Sequence, residues 1–303
     1  MALAILLPVV YAAKLTRWLP PYGADRRNIF EIAGANTAHL VLDEVSQGQT
    51  KSDPVAPDLI AASSTVAQMA EVKFVAPEKP YRILIAGDSF VAVAGGFGDI
   101  FEQKMVGFSD VTVRRLGKVS SGLSRPDYFD WNKEATVAID AFSPNIAVVM
   151  MGTNDAQSFE IIKDGKKEIA QYGSGQWDGE YSRRADAFIK LFTDRGIALY
   201  WIGLPVMRDP IYAAKIKHVG DLQKQAAGRE PMAKFFSGQE LMAGDKTDYQ
   251  AFVADEKGVS RATRNPDGVH LSYFGGTILV DRLVTKLGED IQLTVPDTPK
   301  NAE

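Results

Sequence analysis

Four short, largely apolar runs, at residues 82–86, 111–116, 146–151 and 198–203, alternate with longer stretches in which apolar positions recur every three or four residues. The runs read as buried strands. The stretches at residues 98–106, 131–142, 181–195, 210–227 and 273–287 read as amphipathic helices. Strands that are apolar on both faces and separated by helices predict a parallel sheet covered on both sides. Two segments break the rhythm. Residues 161–179 are rich in charge and glycine and read as an insertion or lid. Residues 249–254 and 259–264, joined by Asp255-Glu256-Lys257-Gly258, read as a hairpin.

Ahead of this pattern the chain has a different character. Residues 1–13 are almost wholly apolar and are followed by Lys14 and Arg17. The run is shorter than the roughly 20 residues of a spanning helix and lacks the basic start of a signal peptide. It reads as the remnant of an N-terminal anchor, in preference to a helix packed on the domain, and an anchor places the rest of the chain outside the cytoplasm. Residues 28–45 fit a helix carrying His39. Residues 50–80, with Pro54, Pro57, Pro77 and Pro80, read as a linker. The expected organisation is therefore an anchor remnant, helix and linker over 1–80, a catalytic domain over 81–290 and a tail over 291–303.

Composition narrows the chemistry. The 303 residues carry a net charge of −4 with both signs mixed and no basic stripe, which argues against nucleic acid as a partner. The absence of cysteine excludes disulfides, thiolate catalysis and cysteine-ligated zinc. The three histidines, His39, His218 and His270, show no paired metal-ligand spacing, so no metal or other cofactor is expected. His218 falls on an amphipathic helix and reads as solvated.

Four polar segments fall at the carboxyl ends of the expected strands or in the loops beyond them, where open α/β sheets place their ligands. They are Gly87-Asp88-Ser89, the loop around Ser120-Ser121-Gly122, Gly152-Thr153-Asn154-Asp155 and Asp267-Gly268-Val269-His270. Acyl transfer needs a nucleophile, a base, a group that orients the base and donors for an oxyanion. Ser89 offers the hydroxyl and His270 the base. Asp267, three residues earlier, is within reach of the imidazole by a short turn. Asn154 offers a side-chain amide, and Gly122 and Ser89 offer backbone N–H groups. Ser89 and Asn154 also suit helix caps or turns. Asp88 and Asp155 read as structural. Arg125 either binds a carbohydrate or anionic group or pairs with Asp127. Trp131 and Trp201 read as core. Trp177, in the expected lid, is the better candidate for stacking on a sugar.

These four blocks, in this order, resemble those of the SGNH hydrolases, also called GDSL-like esterases, over roughly residues 81–287. The resemblance implies a flavodoxin-like α/β/α sandwich with a parallel sheet of about five strands. It also implies a triad of Ser89, Asp267 and His270 and an oxyanion hole of Ser89, Gly122 and Asn154. The elaborate stretch from Gly117 to Trp131 is similar to a bacterial subfamily known as DUF459. That subfamily tends to follow an N-terminal membrane segment, and its relatives are associated with O-acetylation of envelope polysaccharides. The expectation is a periplasmic or envelope serine esterase or O-acyltransferase. Its partners would be an acylated carbohydrate or other small ester and a membrane-bound acyl-transfer partner. A non-catalytic carbohydrate-binding protein and a lipid or thioester hydrolase stand as alternatives.

Overall fold

The computed structural model describes residues 74–295. The expected anchor, the helix at 28–45, His39, most of the linker and the end of the tail lie outside the described residues. Strands β1 (Tyr81–Gly87), β2 (Val111–Gly117), β3 (Ile146–Met150), β6 (Ala198–Ile202) and β7 (Ala233–Phe236) form one five-stranded sheet in the order β2-β1-β3-β6-β7. Every pairing in it is parallel.

Alternation along the strands builds two cores. Ile83, Ile85, Val148, Met150, Tyr200 and Ile202 face one side. Leu84, Ala86, Ala147, Val149, Leu199 and Trp201 face the other. All are fully buried, each contributing about 1.5–3 kcal/mol if a large apolar side chain. Helices α1 (Ser89–Ala92), α2 (Phe97–Met105), α6 (Gly238–Ala243) and α7 (Tyr273–Leu287) pack on the first face. Helices α3 (Trp131–Phe142), α4 (Gly175–Thr193) and most of α5 (Pro210–Gly228) pack on the second. All but α2 start at an Asp or Ser whose side chain accepts a backbone N–H of the first turn: Asp88, Asp130, Ser174, Asp209, Ser237 and Ser272. Such a cap satisfies donors that have no carbonyl a turn behind them.

Three elements depart from the sequence reading. The fifth strand, β7, was not anticipated. The supposed lid is a hairpin, β4 (Phe159–Lys163) with β5 (Lys166–Ala170), followed by α4, which begins at Gly175 rather than 181. The second hairpin, β8 (Phe252–Ala254) with β9 (Ser260–Ala262), is shorter than expected. At the flanks, Asn145 Nδ2 donates to the carbonyls of Glu78 and Pro80. At the other end Ile291 is buried and Thr294 bridges to Ser109. No helix among the described residues is long and apolar enough to cross a membrane.

This strand order reverses direction between β1 and β3, the point at which doubly wound sheets open a crevice at their carboxyl edge. Only Asp88 separates Ser89 from the end of β1, and Asn154 lies just beyond β3.

Candidate active site

Gly87-Asp88-Ser89 ends β1 and starts α1, so Ser89 is the first residue of a helix and its N–H has no carbonyl one turn back to receive it. On the opposite side of the crevice, Asn265-Pro266-Asp267-Gly268 turns back on itself. Gly268 N–H donates to Asn265 O (2.9 Å), and Asn265 N–H donates to His270 O (2.8 Å). Gly268 sits at φ +75°, where an L side chain is strained. The turn lets Asp267 Oδ1 accept the N–H groups of Val269 (2.8 Å) and His270 (3.0 Å), leaving Oδ2 for the imidazole.

The three side chains meet in line. Asp267 Oδ2 lies 2.7 Å from His270 Nδ1, and His270 Nε2 lies 2.8 Å from Ser89 Oγ. A carboxylate only accepts, so Nδ1 carries the proton. The lone pair of neutral His270 is then at Nε2, facing the Ser89 hydroxyl. Burial works to raise the Asp267 carboxyl, but the hydrogen bond from His270, the Val269 and His270 amides and attraction to the imidazole outweigh it and hold it below its usual value. The carboxylate therefore stays ionised beside the base. Phe90 packs against His270, with ring centroids 5.4 Å apart. Ser89 and His270 are partly open to solvent.

Two buried aspartates lock the loops beyond β1, β2 and β3 together. Asp88 Oδ1 accepts from Phe90 N–H (3.1 Å). Its Oδ2 accepts from the N–H groups of Gly152 (3.0 Å) and Thr153 (3.1 Å) and from Thr153 Oγ1 (2.6 Å). Burial raises its pKa despite these four donors. Asp155 does the same for the Gly122 loop. Its Oδ1 accepts Ser124 N–H (2.8 Å), its carbonyl accepts Ser124 Oγ (2.8 Å) and its Oδ2 accepts Tyr181 Oη (2.8 Å). Tyr181 Oη in turn accepts from Gln223 Nε2 (2.9 Å), and Gln223 Oε1 accepts from Trp201 Nε1 (3.1 Å). Burial pushes the Asp155 carboxyl up to about 6 against these hydrogen bonds. Asp88 and Asp155 are thus structural, as read from the sequence, while the partners Tyr181, Gln223 and Trp201 follow from no motif or periodicity.

Gly122 is buried against that carboxylate. A Cβ there would lie 2.1 Å from Asp155 Oδ1, so the loop approaches this closely only with glycine. Among the described residues its N–H has no acceptor. Asn154 Nδ2 donates to Ser121 O (2.9 Å) and Thr153 Oγ1 (3.1 Å), which ties Asn154 to the Gly122 loop.

Of the two tentative substrate-binding residues, one takes another position and the other follows the second of its two readings. Trp177 does not line the site. It is wholly buried in the first turn of α4, stacked on Tyr181 with centroids 4.8 Å apart, and its Nε1 donates to Gln157 O (2.8 Å). Stacking on a sugar is excluded because its faces are already covered by the core. Arg125 is engaged by Asp127, with Nε and Nη2 2.9 and 2.7 Å from the two carboxylate oxygens. His218 is half-exposed and pairs with Asp178 at 2.7 Å.

A family model described as a protein of unknown function, DUF459, matches residues 82–286. Among solved structures, a catalytic mutant of Axe2, an acetylxylan esterase from Geobacillus stearothermophilus, aligns with a TM-score of 0.50 at 14% identity, over 71% of this chain and 97% of that one. A GDSL-like lipase from Bacteroides thetaiotaomicron aligns at 0.46 with 15% identity, over 70% and 90%. The psychrotrophic esterase EstA from Pseudoalteromonas sp. aligns at 0.46 with 13% identity, over 69% and 97%. No curated protein sequence matches.

Proposed function

The chain belongs to the DUF459 family and has the SGNH hydrolase fold, and from that premise we propose that it is a serine esterase that removes acyl groups, acetyl foremost, from carbohydrate. The observation that carries this is the continuous Ser89–His270–Asp267 hydrogen-bond chain at the sheet's switch point. A binding protein has no use for a base aligned on a hydroxyl at 2.8 Å.

Ser89 Oγ attacks the ester carbonyl carbon as its proton passes to His270 Nε2. The imidazolium is stabilised by the ionised Asp267. The oxyanion is received by the N–H groups of Ser89 and Gly122 and by Asn154 Nδ2, which gives up its longer contact, to Thr153 Oγ1, to do so. Collapse breaks the ester C–O bond, and the departing sugar oxygen takes the proton from His270. Water then attacks the acyl-enzyme with His270 as base, releasing the acid and restoring Ser89. The partial exposure of Ser89 and His270 favours water as the acceptor.

The experiment is turnover of 4-nitrophenyl acetate by the wild type and Ser89→Ala, with and without an added oligosaccharide. Free acetate lost in the mutant supports the esterase. Acetylated oligosaccharide would make it an O-acyltransferase, and no turnover by the wild type would refute the catalytic reading. The envelope location and N-terminal anchor belong to the same proposal and rest on the apolar run at 1–13 and the family resemblance. Recovery of the full-length protein in the soluble cytoplasmic fraction would contradict them.

A further inference from the structure

Two arginines border the turn that carries Asp267 and His270, and the proposed reaction uses neither. Arg208 lies in the loop after β6. Its N–H donates to Gly268 O (3.0 Å), and its side chain folds across Gly268 so closely that a Cβ there would lie 2.6 Å from Nε and 2.9 Å from Cζ. Arg208 is exposed, and among the described residues no carboxylate pairs with it. The neighbouring Asp209 is occupied in capping α5, its Oδ1 accepting Tyr212 N–H at 2.7 Å. Several arginines of the domain are held by acids, Arg115 by Glu102, Arg125 by Asp127 and Arg229 by Asp186, and others donate to carbonyls, Arg82 to Phe142, Arg195 to Leu191 and Arg282 to Leu241.

Arg264 approaches the same loop from within. It is only 6% exposed, and Nη2 donates to Val206 O at 3.3 Å. Its Nε and Nη1 have no acceptor among the described residues. The carboxylate that attracts it, Asp267, already has Oδ1 on two amides and Oδ2 on His270. The corner made by residues 206–208 and 264–268 thus holds two guanidinium charges and one carboxylate that is fully committed. Such a surplus beside a triad attracts and orients an anion.

We propose that Arg208 is a substrate-binding residue that receives a carboxylate on the ester, so that the carbohydrate acted on is an acylated acidic sugar rather than a neutral one. The planar guanidinium fork matches a carboxylate in two hydrogen bonds, and Arg264 adds a second positive charge behind it. This inference rests on the esterase reading for its kinetic test but not for its binding test.

The kinetic test compares kcat/KM for 4-acetoxybenzoate and for its methyl ester, a neutral control, in the wild type, Arg208→Gln and Arg208→Lys. The ratio of anionic to neutral ester should fall about tenfold in Arg208→Gln, less in Arg208→Lys, and not at all in Arg229→Gln. Raising salt should lower the wild-type ratio and leave that of Arg208→Gln flat. A ratio unchanged within twofold in Arg208→Gln would overturn the proposal. The binding test is saturation-transfer NMR with D-glucuronate, against D-glucose. Wild-type binding of glucuronate alone, lost in Arg208→Gln, supports the site even if neither ester turns over, in which case only the esterase reading fails. Equal signals from the two sugars, or glucuronate binding retained in Arg208→Gln, would overturn it.

Discussion

Gly122→Ala isolates the oxyanion loop from the triad. The added methyl would fall 2.1 Å from Oδ1 and 2.7 Å from Cγ of Asp155, more than about 1 Å inside ordinary carbon–oxygen contact. One of two things must yield. If the carboxylate moves, it loses its 2.8 Å contacts with Ser124 N–H and Tyr181 Oη, and hydrogen bonds to a charged group are worth about 1.5–3 kcal/mol each. If the loop moves instead, the Gly122 amide withdraws from the oxyanion, and loss of one such donor costs about 3 kcal/mol of transition-state stabilisation, or about 10²–10³ in kcat. The stiff buried network behind Asp155, through Tyr181, Gln223 and Trp201, makes the loop the part that yields. The assay is steady-state kinetics on 4-nitrophenyl acetate beside thermal unfolding. The expected result is a kcat at least about 100-fold down, KM nearly unchanged and Tm lowered by a few degrees. A variant with wild-type kcat and Tm would refute both the packing of Gly122 on Asp155 and its part in the oxyanion hole.

Asp267→Asn should keep the protein folded and lower kcat about 10³–10⁴-fold, because an amide nitrogen facing His270 Nδ1 selects the wrong tautomer; the ratio of kcat values at constant Tm checks it. Asp155 carries a pH dependence of stability. Its folded pKa of about 6 exceeds the ordinary aspartate value of 3.8, so its contribution is full below about pH 4 and is lost as pH rises through about 6, a fall of a few kcal/mol at most. Urea midpoints from pH 4 to 7 should show Asp155→Asn losing that downward trend relative to the wild type; parallel curves would contradict it. Trp177→Ala should cost about 3–5 kcal/mol of stability, as expected for emptying a core site, and leave KM for acetylated oligosaccharides unchanged at a temperature where the variant is folded; a selective rise in KM would return Trp177 to the substrate site.

The sheet was legible where both its faces are apolar. Residues 82–86, 146–151 and 198–203 declare themselves because no polar side chain interrupts them after Arg82, and the boundaries of α3 and α7 follow from the caps Asp130 and Ser272. β7 escaped notice because it is a four-residue edge strand, Ala-Lys-Phe-Phe, partly exposed along its whole length. Residues 161–179 read as an insertion or lid because charges and glycines interrupt the pattern there; in the hairpin β4–β5, Glu160, Ile162, Lys167 and Ile169 share the exposed face while Phe159 and Ala170 turn inward. Trp177 was misplaced for a related reason. Gly175 and Gly179 hide a helix start that the cap Ser174 marks, its Oγ accepting Trp177 N–H at 3.2 Å. The meeting of Ser89 with His270 was legible because each sits in a short motif, and Asp267 reaches His270 within one turn. Arg208 and Arg264 carry no motif. Their position against Gly268 and Val206 is set by tertiary packing of a loop, which neither spacing nor periodicity encodes.

Everything proposed for the reaction depends on Ser89 being a nucleophile activated by His270. Its most direct test is covalent labelling with a fluorophosphonate, read by intact mass and peptide mapping, in the wild type, Ser89→Ala and His270→Ala. A nucleophilic Ser89 binds one equivalent in the wild type and none in Ser89→Ala, and labelling slows by orders of magnitude in His270→Ala. A wild-type protein that remains unlabelled, or is labelled equally fast without His270, would contradict it.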